Sequence, residues 1–311
     1  MIELPAGYAA APLADRDVDD VVRLVRACER HDTGAQMYER ADLVGDLALA
    51  DRARDSVVLR GAGQRDPVGW GLVVRGRSRW ADVHPEHRGR GLGRALVRWS
   101  VGAARAVGAD RIGQTIADGR ADAERLMCAC GASPVRTAWI LVRDHDPAGP
   151  APVVPGAGPP VGVALREATP ADADAALDMM ERAFRTWPDR EPSSRAVWQA
   201  MVTGREGFGY EQLQLAVDAA GRPVGAAFLL VDGDELWVDK LATDPDWQGR
   251  GIGRALLARA SELAHSRGLA RTMLSTDSTT GALPFYERLG MCVQRSFTHW
   301  AIPLTDPGAG G

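Results

Sequence analysis

The sequence predicts two tandem α/β domains, each a mixed sheet flanked by helices. A glycine-rich phrase occurs twice, as RGRGLG at 88–93 and as QGRGIG at 248–253, and its two starting points lie 160 residues apart (248 − 88). A stretch rich in proline and glycine, 144–162, separates the copies. The same order of strand-like and helix-like segments can be read on either side of it, which indicates that one domain is written twice.

The domain boundaries follow from this central stretch. It contains six prolines and shows neither helical nor strand periodicity, which is typical of a semi-rigid linker. We therefore predict a first domain over 1–145, a linker over 146–162 and a second domain over 163–307. A chain of 311 residues is long enough for two domains that each bury a core.

The strands of the second half are predicted from short apolar runs that are bounded by turn residues. The predicted strands cover 163–166, 213–217, 224–231, 235–242, 272–275 and a closing pair within 291–304. The first half repeats this order, so that each half should build a mixed sheet.

The helices of the second half are predicted from apolar residues at helical spacing. Thr169 and Pro170 begin the first helix, and a later helix covers 281–289. The helix after the glycine phrase is expected to end near Gly268. The apolar positions are Leu177, Met180 and Phe184 on the first helix, Ile252, Leu256 and Leu263 on the glycine helix, and Leu92, Leu96 and Val107 on the corresponding helix of the first half.

Composition excludes several classes of protein. Apolar residues make up 45% and charged residues 25% of the chain, and no apolar run reaches membrane-spanning length. The first residues lack the pattern of a signal peptide, so a cytoplasmic protein is expected. Four scattered cysteines predict neither a disulfide framework nor a metal site. A net charge of −4 argues against a general nucleic-acid binder.

The position of the glycine phrases, between a strand and a helix, indicates phosphate binding. Free N–H groups and the helix dipole attract anions at a helix N-terminus, and glycine lets the backbone come close to them. A Rossmann fingerprint would need a third glycine, and a P-loop would need Gly-Lys-Ser/Thr; the sequence has neither. We therefore predict recognition of a diphosphate without dinucleotide or nucleoside-triphosphate chemistry.

These residues resemble the acetyl-CoA signature of the GCN5-related N-acetyltransferases (GNATs). The pattern Gln/Arg-x-x-Gly-x-Gly follows a strand in both halves, and ALPFYERLGM at 282–291 is similar to a later helix motif of that family. The resemblance implies acetyl-CoA as cofactor and a mixed, mostly antiparallel sheet in each domain. The tandem arrangement is similar to that of actinobacterial acetyltransferases, mycothiol synthase among them.

The resemblance also implies which residues bind the cofactor. The backbone of 248–253 would hold the diphosphate, the strand before it would pair with the pantetheine arm, and Thr279 replaces an asparagine found in many members. The residues assigned to acetyl-CoA are Leu241, Ala242, Thr243, Gln248, Gly249, Arg250, Gly251, Ile252, Gly253, Arg254, Thr279 and Phe285 in the second half, and Arg88, Gly89, Arg90, Gly91, Leu92 and Gly93 in the first.

The predicted catalytic residues lie in the second half. Family resemblance makes Tyr286 the general acid that protonates the departing thiolate, for which a positioned phenol is suited. Asp239 and Glu235 are candidate bases, because residues four apart on a strand face the same side. Both assignments have structural alternatives: Tyr286 as a packed core ring, and the carboxylates as exposed strand residues.

The first half lacks these groups. At offsets of 159 and 160 residues, Met127 stands opposite Tyr286 and Arg79 opposite Asp239, and a thioether cannot donate a proton. Two roles remain open for the first domain: it binds acetyl-CoA without turnover, or it only supports its neighbour.

The sequence therefore favours an acetyl-CoA-dependent N-acetyltransferase that acts on a primary amine of a small molecule or peptide. The alternatives are a non-catalytic, regulatory acyl-CoA-binding protein and, from architecture alone, an enzyme resembling mycothiol synthase. Neither a nucleic acid nor a membrane is an expected partner, and a monomer or a homodimer is expected. The acceptor site is predicted from aromatic and acidic residues around the early helices of the second half, namely Trp187, Asp189, Glu191, Trp198, Phe208 and Tyr210.

Overall fold

The structure is a computed structural model. It describes residues 2–34, 36, 38–48, 50–74, 78–150, 154, 156–185, 192, 194–205 and 207–304, with the backbone alone at 78, 79, 200 and 201. Three of the predicted acceptor residues, Trp187, Asp189 and Glu191, lie outside the described residues.

Twelve strands are formed by the described residues. In chain order they are β1 Tyr8–Ala11, β2 Ser56–Gly61, β3 Gly69–Val74, β4 Ser78–Val83, β5 Arg111–Ala117, β6 Ser133–Asp144, β7 Ala164–Glu167, β8 Leu213–Val217, β9 Pro223–Asp232, β10 Glu235–Thr243, β11 Arg271–Asp277 and β12 Cys292–Pro303. The strands predicted for the second half from 163 to 275 are confirmed to within a few residues.

The α-helices of the described residues lie between these strands. In chain order they are α1 Val18–Thr33, α2 Arg40–Leu47, α3 Arg52–Asp55, α4 Leu92–Ala106, α5 Ala121–Ala129, α6 Ala173–Phe184, α7 Arg195–Trp198, α8 Ile252–Ser266 and α9 Leu283–Arg288. Short 3-10 turns precede several of them, and a π-helical turn, Gln199–Thr203, continues α7. In the part of the chain that the structure describes, we find no helix with the length and apolar character that a bilayer crossing requires.

The chain forms two compact units, and the end of one strand from each half belongs to the unit of the other half. The first unit comprises residues 1–137 and 297–311, and the second comprises 138–296. In the second unit, Ala138–Asp144 of β6 pair antiparallel with β11. In the first unit, residues 297–303 of β12 pair antiparallel with β5. The compact units are therefore divided differently from the predicted domains, and neither continuous half holds all strands of one unit.

The predicted closing pair of strands is wrong. Residues 292–303 form the single strand β12. The reason lies in the sequence: the stretch from Cys292 to Ile302 contains no glycine, proline, asparagine or aspartate to make a hairpin turn.

The sheet of the second unit has helices on both faces. Its strand order is β6-β11-β10-β9-β8-β7, and only the β10–β11 pair is parallel. On one face, Leu256 of α8 packs in a core with Leu236 and Val238 of β10. On the other face, Met180 of α6 packs with Phe228 of β9. This arrangement confirms the predicted mixed, mostly antiparallel sheet between helices.

The first unit repeats this arrangement, in the strand order β1-β2-β3-β4-β5-β12. Leu92 and Leu96 of α4 are each 1% exposed, as predicted. The prediction for Val107 is wrong, since α4 ends at Ala106 and Val107 is 44% exposed. The left-handed Gly108, with φ of 72°, turns the chain away before another helical turn can form.

Candidate functional site

The second glycine phrase forms a tight turn between β10 and α8. The carboxylate of Asp244 begins this turn by accepting a hydrogen bond from the N–H of Asp246 at 3.1 Å. Gly249 and Gly251 then adopt left-handed conformations, with φ of 76° and 88°. A residue with a Cβ atom enters this region at a steric cost, so glycine suits both positions. The turn allows the helix to begin at once at Ile252.

The first turn of α8 leaves backbone donors available. The first hydrogen bond of the helix runs from the N–H of Ala255 to the carbonyl oxygen of Gly251, at 3.0 Å. The N–H groups of 252–254 therefore have no carbonyl partner within the helix. The helix dipole adds partial positive charge at the same end. These properties fit a bound diphosphate.

An open strand edge lies beside this turn. The parallel pairing of β10 with β11 ends at Val238 opposite Leu274. Beyond that point β10 pairs only with β9, and β11 pairs only with β6, among the described residues. Backbone groups of 239–243 and 275–277 therefore face a gap in the sheet rather than each other. Leu241, Ala242 and Thr243, the predicted pantetheine contacts, lie along this gap.

Two polar side chains around the turn are held by backbone carbonyls. Gln248 Nε2 donates to the carbonyl oxygen of Thr243 at 3.4 Å. The guanidinium of Arg250 donates to the carbonyl oxygen of Asp246 at 3.1 Å and lies 4.8 Å from the centroid of the Trp247 ring. Stacking on an aromatic ring fixes the direction of an arginine while leaving other N–H donors available.

Helix α9 brings Phe285 and Tyr286 to the start of α8. A methyl group in place of the Gly253 hydrogen would lie 3.8 Å from Cζ of Phe285 and 3.7 Å from Oγ1 of Thr243. The rings of Phe285 and Tyr286 meet edge to face, with centroids 5.1 Å apart. The structure thus brings together three predicted elements: the end of β10, the glycine turn and the tyrosine motif.

The side chain of Tyr286 is mostly buried, and its hydroxyl is protonated. The residue is 9% exposed and packs in the core beside α8. Burial raises the pKa of Tyr286 to about 12. Among the described residues, its hydroxyl has no hydrogen-bond partner. The phenol is therefore neutral at physiological pH and keeps its proton available.

The backbone N–H and the hydroxyl of Thr279 are both used in hydrogen bonds within their own loop. Its N–H donates to Oδ1 of Asp277 at 3.0 Å, and its hydroxyl donates to the same oxygen. Thr280 bonds instead to Thr276, at 2.9 Å between the hydroxyl oxygens. The loop between β11 and α9 is thus closed by its own side chains, and a cofactor contact from Thr279 stays a prediction.

The candidate bases Asp239 and Glu235 are separated by an irregularity in β10. The strand register shifts between Val238 and Lys240, so Asp239 sits in a β-bulge and the alternation of faces is broken there. The predicted sharing of one face by Asp239 and Glu235 therefore does not hold. Asp239 forms an ion pair with Lys240.

Glu235 lies at the far end of β10 from the glycine turn. Eight residues separate it from Thr243, or roughly 26 Å at the usual rise of a strand. Its carboxylate pairs with Nη1 of Arg271 at 3.2 Å, and Arg271 also pairs with Asp144. Glu235 therefore has a structural partner, and Asp239 is the candidate nearer to the turn.

The described part of the predicted acceptor site is an aromatic cluster on the α6 face of the sheet. Phe208 lies 5.1 Å from Tyr210 and 6.2 Å from Phe228, between ring centroids. Nζ of Lys240 lies 5.8 Å from the centroid of the Phe228 ring. The indole N–H of Trp198 is buried without a hydrogen-bond partner among the described residues. These contacts link the cluster to β10 through Lys240.

The support beneath the turn was not predicted from the sequence. Asp244 is 8% exposed, and Arg182 of α6 donates to its Oδ2 from Nη2 at 2.6 Å and from Nε at 3.2 Å. The Asp-Pro pair at 244–245 is a helix-start signal that could have identified Asp244. Arg182 had no such signal, because its partner lies 62 residues away.

The first glycine phrase has the same backbone but different surroundings. Gly89 and Gly91 have φ of 74° and 88°, and α4 begins at Leu92. Arg88 is tied to Asp32 by two hydrogen bonds of 2.7 and 3.0 Å. Arg90 donates to the hydroxyl of Tyr8 at 3.3 Å.

Side chains of the first unit fill the space around this turn. A methyl group on Gly93 would lie only 2.8 Å from Cδ2 of Leu126, which corresponds to Phe285 at an offset of 159 residues. The amide of Gln114 on β5 donates to the carbonyl oxygen of Ala81 on β4 at 2.9 Å. Met127, opposite Tyr286, is 2% exposed. In the first unit, the side chain of Gln114 therefore bridges the gap between β4 and β5. The corresponding gap between β10 and β11 of the second unit stays open.

Comparison with known proteins places both glycine phrases in one family. The model described as the acetyltransferase (GNAT) family matches residues 23–132 and 174–291. Each matched range contains one glycine phrase and its following helix motif. The predicted GNAT resemblance and the tandem arrangement are confirmed, and acetyl-CoA or another acyl-CoA is the cofactor of this family.

Relatives cover most of the chain. A mycothiol acetyltransferase of Clavibacter sepedonicus is 33% identical over an alignment of 276 residues that covers 78% of this chain and 86% of that protein. A mycothiol acetyltransferase of Thermomonospora curvata is 32% identical over 301 residues, covering 94% of both chains. Among solved structures, a GCN5-related N-acetyltransferase from Sphaerobacter thermophilus has a TM-score of 0.80 and 27% identity, over 98% of both chains.

A solved tandem GNAT protein from the clavulanic acid biosynthesis pathway supports the fold. It has a TM-score of 0.70 and 20% identity, over 96% of this chain and 99% of that one.

The pKa of Tyr286 gives a testable pH dependence. The pKa of the phenol is raised from about 10 to about 12 in the folded state, so folding favours the neutral form. The free energy of unfolding should therefore fall as pH rises from about 10 through about 12. Ultraviolet absorbance titrations of the unaltered chain and of Tyr286→Phe give the signal of the Tyr286 phenolate as their difference. This signal should appear only above about pH 10. A Tyr286 midpoint below pH 10 would contradict this environment.

Proposed function

Because the chain belongs to the GNAT family of acetyltransferases, we propose that it transfers an acetyl group from acetyl-CoA to a primary amine of a small molecule or peptide, in its second unit. The observation that carries this proposal is the neutral, buried Tyr286 beside an open glycine turn. The first unit has Met127 at the corresponding position.

The residues of the second unit fit the proposed cofactor. The N–H groups of 252–254 and the cation of Arg250 suit a diphosphate. Arg254 adds an Nε–H that is buried and has no partner among the described residues. The backbone edge of Leu241–Thr243 that faces β11 is unpaired and suits the amides of a pantetheine arm. Bound acetyl-CoA would supply a thioester to this end of the gap.

Two side chains have proposed roles in proton transfer. Tyr286 holds a proton at Oη, and its raised pKa keeps the phenol protonated at neutral pH. We propose that its position allows it to donate this proton to the sulfur of the departing thiolate. Asp239, in the bulge of β10, is proposed to accept the proton of the amine, directly or through water; its ion pair with Lys240 fixes its direction. Glu235 is not retained as a base, because Arg271 occupies its carboxylate.

The proposal for the acceptor amine draws on the relatives and on the aromatic cluster on the α6 face of the second sheet. Mycothiol acetyltransferase activity is a second, narrower candidate, supported by the two relatives that align along most of this chain. The aromatic cluster of Phe208, Tyr210 and Phe228 offers ring surfaces toward an amine.

The change Tyr286→Phe tests the proposed chemistry. It keeps the ring and removes the proton, so kcat should fall by about 10²-fold or more while the Kd for CoA stays within twofold. Thiol release with a panel of amines, including the acceptor of the mycothiol acetyltransferases, measures the rate, and calorimetry measures the affinity.

The control for this change is Tyr38→Phe in the first unit. Tyr38 is also a buried phenol whose pKa is raised by burial, and its hydroxyl has no partner in the described part of the chain. The Tyr38→Phe substitution should leave turnover unchanged. Full activity of Tyr286→Phe would remove the phenol from the reaction, and CoA binding without turnover on any amine would favour a regulatory, non-catalytic protein.

A matched pair of glycines tests which unit carries the reaction. Gly91 and Gly251 both have φ of 88°, so alanine strains the backbone equally at either position. Gly251→Ala should lower kcat/KM for acetyl-CoA by at least tenfold, because the amides at the start of α8 shift. Gly91→Ala should change it by less than twofold. Equal losses in steady-state kinetics would contradict catalysis by the second unit alone.

A further inference from the structure

Arg254 is an arginine without a counter-ion at the start of α8. No carboxylate within ion-pair distance of it is found among the described residues, and its Nε–H is buried without a hydrogen-bond partner. Its guanidinium lies against the glycine turn: a methyl group on Gly251 would lie 3.1 Å from Nη2. The cation thus sits where the helix already carries partial positive charge.

This placement is electrostatically unfavourable until an anion arrives. A buried donor without a partner loses its hydrogen bonds to water, and a cation near a helix N-terminus is repelled by the dipole. Both costs are removed when a doubly charged group such as a diphosphate accepts hydrogen bonds from the arginine and the backbone. Something other than a carboxylate must therefore hold Arg254 in this position.

The linker packs against the helix that carries Arg254. Val154, which is 5% exposed, and Val163, which is 8% exposed, belong to the same core as Ile252 and Leu256 of α8. Between these anchors, a turn closes from the N–H of Ala157 to the carbonyl oxygen of Val154 at 3.1 Å. The linker is therefore packed onto the second unit at the helix that follows the glycine turn.

One linker glycine touches the guanidinium itself. Gly156 has φ of 66°, and a methyl group on it would lie 3.1 Å from Nη1 and 3.3 Å from Cζ of Arg254. The guanidinium thus lies between two glycines, Gly156 of the linker and Gly251 of the turn. Only residues without a side chain allow both backbones to come this close.

The first unit lacks this arrangement. Arg94 corresponds to Arg254 at the offset of 160 residues and is exposed. The atom that lies over Gly91 there is Cγ of Pro5, 3.3 Å from where a methyl group would stand. An apolar ring at that position offers nothing to an anion.

We infer that the linker is part of the acetyl-CoA site: Gly156 holds the guanidinium of Arg254 against the glycine turn, in position for the diphosphate. This inference rests on the proposed binding of acetyl-CoA by the second unit. Gly156 is a positioning residue, since it acts through Arg254.

The test compares two alanine substitutions in the full-length chain. Gly156→Ala strains a left-handed residue and places a methyl group against Arg254. Gly162→Ala is the matched control, because Gly162 has φ of 80° and no atom within 4 Å of a methyl group at that position. Calorimetry should show CoA affinity lowered by about tenfold in Gly156→Ala and by less than twofold in Gly162→Ala. Asparagine, which tolerates left-handed conformations, serves at both positions if alanine prevents folding.

A second comparison separates the role of Arg254 from general damage. In an Arg254→Met background, which keeps the length of the stem but not the charge, Gly156→Ala should lower CoA affinity by less than twofold further. With 3′-dephospho-CoA, which retains the diphosphate, the tenfold difference between Gly156→Ala and the unaltered chain should persist.

The outcomes distinguish this inference from the proposed function. If the unaltered chain binds no CoA, the proposed function fails and this inference with it. If it binds CoA and the two alanine variants bind equally well, the role of the linker is wrong while the proposed function stands. An undiminished effect of Gly156→Ala in the Arg254→Met background, or its loss with 3′-dephospho-CoA, would also overturn the assignment.

Discussion

The candidate site depends on one backbone constraint: two left-handed glycines that convert the end of a strand into the start of a helix. With φ of 76° and 88°, Gly249 and Gly251 allow α8 to begin directly after the turn. The N–H groups of its first turn then point away from the helix, next to the unpaired edge of β10. Asp244, fixed by Arg182, holds the strand side of this turn in place. Donors, strand edge and Tyr286 are brought together because this turn is so short.

The two copies show that this turn is necessary but not sufficient for a site. Both copies keep the left-handed glycines, yet Gln114 bridges the strands of the first unit and Leu126 packs against its helix start. In the second unit the larger Phe285 lies farther from the corresponding glycine, Gly253. The difference between the copies therefore lies in side chains around a shared backbone. A glycine signature alone does not reveal it.

The sequence predicted those parts of the fold that depend on local chemistry. Glycine spacing, apolar periodicity and the helix motif identified α8, α9 and the strand before the turn, because each is determined by neighbouring residues. The exchange of strand ends was not predictable in this way. Leu141 and Ile302 are apolar residues that could be buried in the core of either unit, so their type does not indicate which unit they join. The bulge at Asp239 also escaped prediction, because period-two alternation assumes a regular strand.

Long-range contacts account for the rest of what the sequence left open. The linker was expected to be a spacer, but the packing of Val154 and the contact of Gly156 with Arg254 depend on a helix about 100 residues later. Likewise, no local sequence pattern shows that Arg271 forms an ion pair with Glu235 or that Arg182 forms one with Asp244. Such partners are selected by the folded sheet, so a sequence reading identifies the groups but not their pairing.

Amide hydrogen exchange of the full-length chain, with and without acetyl-CoA, tests whether the second glycine turn and the strand edge beside it bind the cofactor. We expect slower exchange at 249–254 and at 239–243 when acetyl-CoA is present, because these backbone groups would bind the diphosphate and the pantetheine arm. Exchange at 89–94 should be unchanged. Protection confined to 89–94, or no protection at either turn, would rule out cofactor binding at the second turn.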